Sequence, residues 1–263
     1  MSGLHLSIGE ATLASYLLAL ARTAGFVLLA PPFNSRGIPT QGRAAVALAL
    51  ALPLSAWMTP VTPALGSGAM LLRVVVQMLT GATLGALVMI AVATIQSVGE
   101  LVDVIGGFTV SQALDPLLMV QSSVMGRLHQ LAAVTLIFVG DGHLMILHGL
   151  SRSIQLMPGP ELNWQNVAQA LAADVAGMML AAVQIAAPIA GALLIADVAL
   201  GLLTRAAPAL NAFALAFPLK ILLSVLVVGL VLTQLPGSLH TLVEDAVGNV
   251  VRLSTGSASA GGR

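Results

Sequence analysis

Asp197, Arg205 and Lys220 fall in one connection, DVALGLLTRAAPALNAFALAFPLK, between two long apolar runs, with Pro208 and Pro218 among them. Ionisable side chains in such surroundings could relay an ion or a proton. Equally, they could satisfy carbonyls freed at helix breaks or pair with another subunit. Asp197 and Arg205 are eight residues apart, just over two helical turns, so they occupy similar faces without touching and no direct salt bridge between them is expected. Arg22, Arg73 and Asp141 are further ionisable groups set in apolar sequence. A charge at mid-bilayer costs about 2.5 to 3.5 kcal/mol on insertion scales, so each should face a partner, a cavity or water. A relay needs several acids at membrane depth, and here the acids are isolated, which favours the structural role over the relay.

No other cluster suggests catalysis. His143 and His148 in DGHLMILH are five apart, not the three or four that brings two ligands onto one helical face. The chain has no Cys, which removes disulfides, thiolate chemistry and cysteine-ligated metals. GxSxG, GxxxxGK, HExxH and CxxC do not occur. The expectation is a non-enzyme with no cofactor and no metal.

The elements that position these residues are apolar. Of 263 residues 58% are hydrophobic and 8% charged, and mean hydropathy is +1.00. Soluble domains carry about 25% charged residues, so this chain cannot cover itself with polar groups; lipid or other protein chains must do so. Ten basic and ten acidic residues balance without a block of one sign, which argues against nucleic acid and anionic lipid as partners. The start MSGLHLSIGE lacks a basic region and holds Glu10, so a cleaved signal peptide is not expected.

A helix crosses a bilayer with about 20 apolar residues. Three charge-free stretches meet that length, Val74 to Gly99, Val175 to Ala196 and Ile221 to Val243. Three interrupted ones come close: Ala11 to Phe33 with Arg22, Ala44 to Met58 with Pro53, and Leu128 to Leu150 with Asp141 and His143. The expected fold is therefore all-α, a polytopic membrane-class protein of about six apolar helices. Breaks fall at PPFNSRGIPTQGR and MTPVTPALGSG. The polar stretch MPGPELNWQN divides an N-terminal part, 1–156, from a C-terminal long helical hairpin, 167–250, and residues 251–263 read as a disordered tail.

Scattered Arg residues give no orientation by the positive-inside rule, and aromatic content of 3% leaves no interfacial belt. Both fit helices that meet other helices. Gly81 and Gly85 form GxxxG, and Ala182, Ala186 and Ala190 recur every fourth residue; such spacing marks a close-packed face or arises by chance in an Ala- and Gly-rich chain. One stretch is both apolar and broken: GELVDVIGGFTVSQALDPLLMVQSSVMGR holds Gly106 and Gly107, then Asp115 before Pro116, among Phe108, Leu114, Leu117 and Met119. Its backbone groups cannot face lipid unpaired, so it is either a connecting or re-entrant helix or a loop set inside a channel.

Three segments together resemble the FliR family of flagellar export-gate proteins and its virulence type III secretion counterpart. They are FVLLAPPFNSRGIPTQGRAAVALALALPL, GELVDVIGGF with LDP, and GLLTRAAPALNAFALAFPLK, the last the most specific. The resemblance runs from about residue 10 to 245. It carries over onto Arg205, Pro208, Asn211, Phe213, Pro218 and Lys220, with Asp197 at the start of the same connection; Ala209 stands where the family has Gln, so a polar contact there is not carried over.

The resemblance implies a structural subunit of the flagellar type III protein export gate. Such a chain joins FliP- and FliQ-like subunits in the bacterial inner membrane, at the flagellar basal body, and unfolded flagellar subunits pass through the gate. FlhB- and FlhA-like components are implied as neighbours. It also implies that residues 106–122 act as a plug, with Gly106, Gly107, Phe108, Leu114, Asp115, Pro116 and Met119 as its residues. The alternative is a small-solute or ion-coupled transporter using Asp197, Arg205 or Asp141, which inverted repeats would support; none is visible.

Overall fold

The computed structural model describes residues 9–31, 33–35, 37–58, 68–107, 123–156, 164–206, 212–233 and 235–255. Among them are eight helices and no strand: α1 Glu10–Leu29, α2 Thr40–Ser55, α3 Gly68–Gly106, α4 Val124–Val139, α5 Gly142–Leu156, α6 Trp164–Ala206, α7 Ala212–Leu232 and α8 Leu235–Thr255. The chain is the all-α protein its composition demands. By length and composition α1, α3 and α6 can each cross a membrane, and α4 with α5 can make a fourth, broken span.

Eight helices replace about six because two of the expected stretches are each divided. The stretch 128–150 breaks at Gly140 and Asp141, where Asp141 takes φ 56. Asp is one of the few residues with a side chain that tolerates the left-handed region. Its carbonyl then accepts from Leu144 N–H at 2.9 Å, starting α5. The stretch 221–243 breaks between Leu232 and Leu235. Pro236 has no N–H to give the carbonyl four residues back, and its fixed φ suits the first turn of a new helix. That new helix, α8, buries the stripe Leu235, Leu239, Val243 and Ala246 while Thr241 and Glu244 face outward. It is an amphipathic helix rather than the end of a span.

Contacts group the chain into two units, residues 1–90 with 141–174 and 243–263, and residues 91–140 with 175–242. In the first, α1 and the start of α3 meet at glycines. A Cβ on Gly81 would fall on the Arg22 carbonyl, one on Gly25 on the Met78 carbonyl, and one on Gly85 within 2.7 Å of the Phe26 carbonyl. The GxxxG pair is thus a close-packed helix crossing and not a chance spacing, with Gly25 answering it from the opposite helix. Close approach buries Arg22 completely. Its Nε donates to Gln77 Oε1 at 2.6 Å and its Nη1 to the Ser153 carbonyl at 2.9 Å, joining α1, α3 and α5. Thr23 Oγ1 donates to the Ala47 carbonyl at 3.0 Å, tying α1 to α2. Gly149 of α5 admits the Val247 side chain of α8, and Asn249 Nδ2 donates to Asp174 Oδ1 at 2.7 Å.

The second unit is built on a seam along α6. Ala182 and Ala186 are buried with Val98 of α3. Ile189 and Leu193, the next two positions on the same stripe, are buried with Val102 of α3 and Val228 of α7. Small residues of α6 face α3 in one cluster, and branched ones meet both α3 and α7 in the other. Burying each large side chain contributes about 1.5 to 3 kcal/mol.

Candidate functional site

The two motifs singled out in the sequence lie in the second unit, where α6 and α7 run antiparallel. Lys220 Nζ lies 2.6 Å from Asp197 Oδ1, and Ile189, Leu193, Leu223 and Val228 form one cluster on the side away from the connection. These contacts make α6 and α7 a helical hairpin. Asp197 stands eleven residues before Pro208 and Lys220 twelve after it, and the antiparallel α6 and α7 bring them together. Their spacing about Pro208 was the available signal; in sequence Asp197 is compared only with Arg205, with which no salt bridge is expected, and not with Lys220. Arg205 sits in the last turn of α6 and is exposed. A cation at a helix C-terminus complements the partial negative charge of the final carbonyls.

Pro218 is inside α7 and exposed, and Phe213 lies in its first turn. Pro208 and Asn211 fall outside the described residues, as do Phe108, Leu114, Asp115, Pro116 and Met119. The remaining candidate acid, Asp141, is exposed at the break between α4 and α5. Among the described residues no group of three or more His, Asp or Glu side chains could hold a metal ion.

Among the described residues, nothing covers one face of the hairpin. On α6, Met179, Leu180, Val183, Leu194, Ile195, Val198 and Leu202 are exposed, and on α7 Leu222, Val225 and Leu226. Only 22% of the apolar window of α6 is buried, against 61% for α3. At 1.5 Å per residue, helices of 39 and 43 residues are roughly 60 Å long, about twice the hydrocarbon thickness of a bilayer. Lipid or neighbouring apolar helices can cover the exposed apolar face of α6.

The ends of the plug-like stretch are fixed by contacts that the sequence did not disclose. On its near side α3 ends at Gly106, and Gly107 takes φ 78, a value that residues with a Cβ rarely adopt. On its far side Ser123 caps α4, its Oγ accepting from Gly126 N–H at 2.7 Å. Met125 N–H donates to both carboxylate oxygens of Asp103, at 3.2 and 3.4 Å. Asp103 is buried, and a carboxylate there is stabilised by the free N–H groups and partial positive charge of the helix start.

The Met125 carbonyl accepts from Nδ1 of buried His129 at 2.8 Å. A carbonyl has no proton to give, so Nδ1 carries it. A Cβ on Gly99 would collide with that same carbonyl, and one on Gly126 would meet Glu100 Cγ at 2.9 Å. Gly99 lets α3 meet the backbone of α4, while Gly126 leaves room for the Ser123 and Glu100 side chains and the Met125 side chain packs against the cluster of Val102, Ile189, Leu193 and Val228. Asp103 and Gly99 were visible within the quoted stretch. That they meet the start of α4 requires the fold.

Residues 13–246 match the family described as bacterial export proteins, family 1. The chain is similar to the flagellar biosynthetic protein FliR of Bacillus subtilis, 28% identical over 80% of this chain and 83% of that protein. It is similar to FliR of Escherichia coli, 29% identical over 78% and 79%. Surface presentation of antigens protein SpaR of Salmonella typhimurium is 28% identical over 89% of each.

Proposed function

Because this chain belongs to the bacterial export proteins of family 1, we propose that it is a structural subunit of the flagellar type III export gate, embedded in the bacterial inner membrane at the flagellar basal body. In this reading it builds the protein-conducting channel with FliP- and FliQ-like subunits, near FlhB- and FlhA-like components, and unfolded flagellar proteins are the cargo. The observation that carries the reading is the α6/α7 hairpin. Its own charges are paired internally at Asp197 and Lys220, while a long apolar face stays uncovered. An element neutralised within itself and apolar outside is suited to packing among other helices.

In the same reading residues 106–122 close the channel, and Asp103, Ser123 and Met125 hold the base of that segment. Phe108, Leu114, Asp115, Pro116 and Met119 are its candidate closing residues. Arg205, Pro208, Asn211, Phe213 and Pro218, with the ion pair, shape the hairpin against neighbouring subunits.

The transporter alternative finds no support. Asp197 is already neutralised by Lys220, and Asp141 is exposed at a helix break, so neither offers a buried acid for a coupling ion. Tagging the chain in its native host and purifying it tests the reading. FliP- and FliQ-like subunits should accompany it. A lone chain that moves small solutes in liposomes would overturn the proposal.

A further inference from the structure

We propose that the outer side of α6 receives an apolar helix of a different subunit, and that Gln184 sets the register by bonding a hydroxyl or amide side chain on that helix. The inference rests on the reading of the chain as a subunit of an assembly and names the chemistry of the neighbour that α6 takes.

Gln184 stands near the middle of the charge-free run Val175 to Ala196 and is exposed. Among the described residues its side chain makes no hydrogen bond. Ala182, Ala186, Ile189 and Leu193 form the side of α6 that packs on α3 and α7. At about 3.6 residues per turn Gln184 falls on the opposite side, in line with Gly177, Gly191 and Val198. Pro188, one turn further along that side, has no N–H to give the Gln184 carbonyl. An amide and a carbonyl deprived of its helical donor therefore share one spot, with exposed Leu180, Val183, Ile195 and Val198 around it. Acyl tails leave both polar groups unpaired, whereas a helix carrying Ser, Thr, Asn or Gln can satisfy the side chain without giving up apolar contact.

The glycines set how close that helix comes. A Cβ on Gly177 or Gly191 would meet nothing within 4 Å, unlike one on Gly25 or Gly81, so packing within the chain does not require them. They flank Gln184 at seven residues on either side. Seven is the repeat of two helices that cross at a shallow angle, and a lone polar residue on such a seam fixes the register between them. Glycine above and below lets the neighbouring backbone approach until the amide can reach across.

Arg205 separates a different chain from a second copy of this one. It is exposed and lies on the same line, twenty-one residues beyond Gln184. A copy inserted in the same sense and paired at Gln184 would set Arg205 against Arg205, like charges that repel. A different subunit can present an acid there instead.

The test uses the full chain in its native host with its partner subunits. Photoreactive benzoylphenylalanine is placed at Leu180 or Ile195, and the products formed on irradiation are read by peptide mass spectrometry. Both positions should cross-link to one apolar helix of another subunit, with Ser, Thr, Asn or Gln opposite Gln184. Gln184→Leu and Gly191→Leu should each lower recovery of that subunit threefold or more. Gln184→Asn, which keeps an amide, should stay within twofold of the unaltered chain. The thermal midpoint of the isolated chain in detergent should be the same for all three, because no contact within the chain is lost.

Cross-links to lipid alone, to a second copy, or to a helix without a hydroxyl or amide at that position overturn the proposal. So does full recovery of the partner by Gln184→Leu, or a lowered midpoint, which would give Gln184 a role in this chain's own fold. Each of these outcomes leaves the assembly reading standing as long as the unaltered chain brings its partner subunits with it. That reading fails only if the unaltered chain purifies alone.

Discussion

Lys220 on α7 lies 2.6 Å from Asp197 on α6, and the two side chains are 21% and 41% exposed. An ion pair this open to water contributes roughly 0.2 to 1 kcal/mol. A single charge left among apolar side chains costs more, about 2.5 to 3.5 kcal/mol at membrane depth. The two magnitudes make the pair weak to possess and costly to halve. Asp197→Ala and Lys220→Met should therefore each lower co-purification with partner subunits several-fold. The double variant, which leaves no unmatched charge, should recover most of it. Densitometry of partner bands decides the matter, and a double variant worse than either single one would refute the pairing.

Apolar length and the absence of charge identified α3 and α6 directly in the sequence, because burial by lipid or protein needs only composition and periodicity. The breaks at Asp141 and Pro236 fall where polar residues interrupt the runs, at GDGH and TQLPGSLH; the first reads as an interruption within one span and the second escapes notice because it carries no charge. A single backbone dihedral or a missing N–H ends a helix without changing its apolar content. Asp197 with Lys220, and Asp103 with Met125, are contacts across 23 and 22 residues of sequence. For Asp197 and Lys220 the expected hairpin and their spacing about Pro208 pointed to the return of the chain, whereas for Asp103 and Met125 no local pattern did. Gly81 and Gly85 were legible as a motif, but their partner, the backbone of α1 at Arg22 and Phe26, was not.

That crossing supports a prediction of its own. A methyl group on Gly81 would meet the Arg22 carbonyl, which is backbone and cannot rotate away, whereas Gly191 has nothing within 4 Å of its would-be Cβ. Overpacking of this kind costs typically about 1 to 3 kcal/mol, and more when main chain must move. Gly81→Ala should lower the thermal midpoint in detergent by several degrees, and Gly81→Leu should prevent accumulation. Gly191→Ala should be neutral for the isolated chain. Equal effects at the two glycines would show that the α1/α3 crossing is not tight.

Arg22 gives a third. It is completely buried and donates to Gln77 Oε1 and to the Ser153 carbonyl, so it links three helices through bonds of 2.6 and 2.9 Å. Removing it takes this donor from both acceptors, at about 1 to 3 kcal/mol each. Arg22→Met, which keeps much of the volume, should therefore destabilise strongly. Arg22→Lys keeps the charge but has no planar fork, so it should retain one of the two bonds and fall between. Gln77→Leu in the Arg22→Met background should add little, because the pair has already lost its purpose. Measured midpoints that add independently would contradict the shared node.

The connection between α3 and α4 supplies the last prediction. Its two ends are fixed by the capped start of α4 and by the buried Asp103, so the residues between them can be shortened without unravelling either helix. Removing residues 108–118 leaves four residues, 119–122, to join Gly107 to Ser123. At about 3.3 to 3.6 Å per extended residue, four residues reach roughly 13 Å. The bonds between Asp103 and Met125 hold α3 beside α4 next to that join. The shortened chain should fold, co-purify with its partners and pass ions that the intact chain excludes. Conductance across membranes of cells making the whole assembly measures it. A barrier as tight as before, with assembly intact, would mean that the channel is closed by something other than this segment.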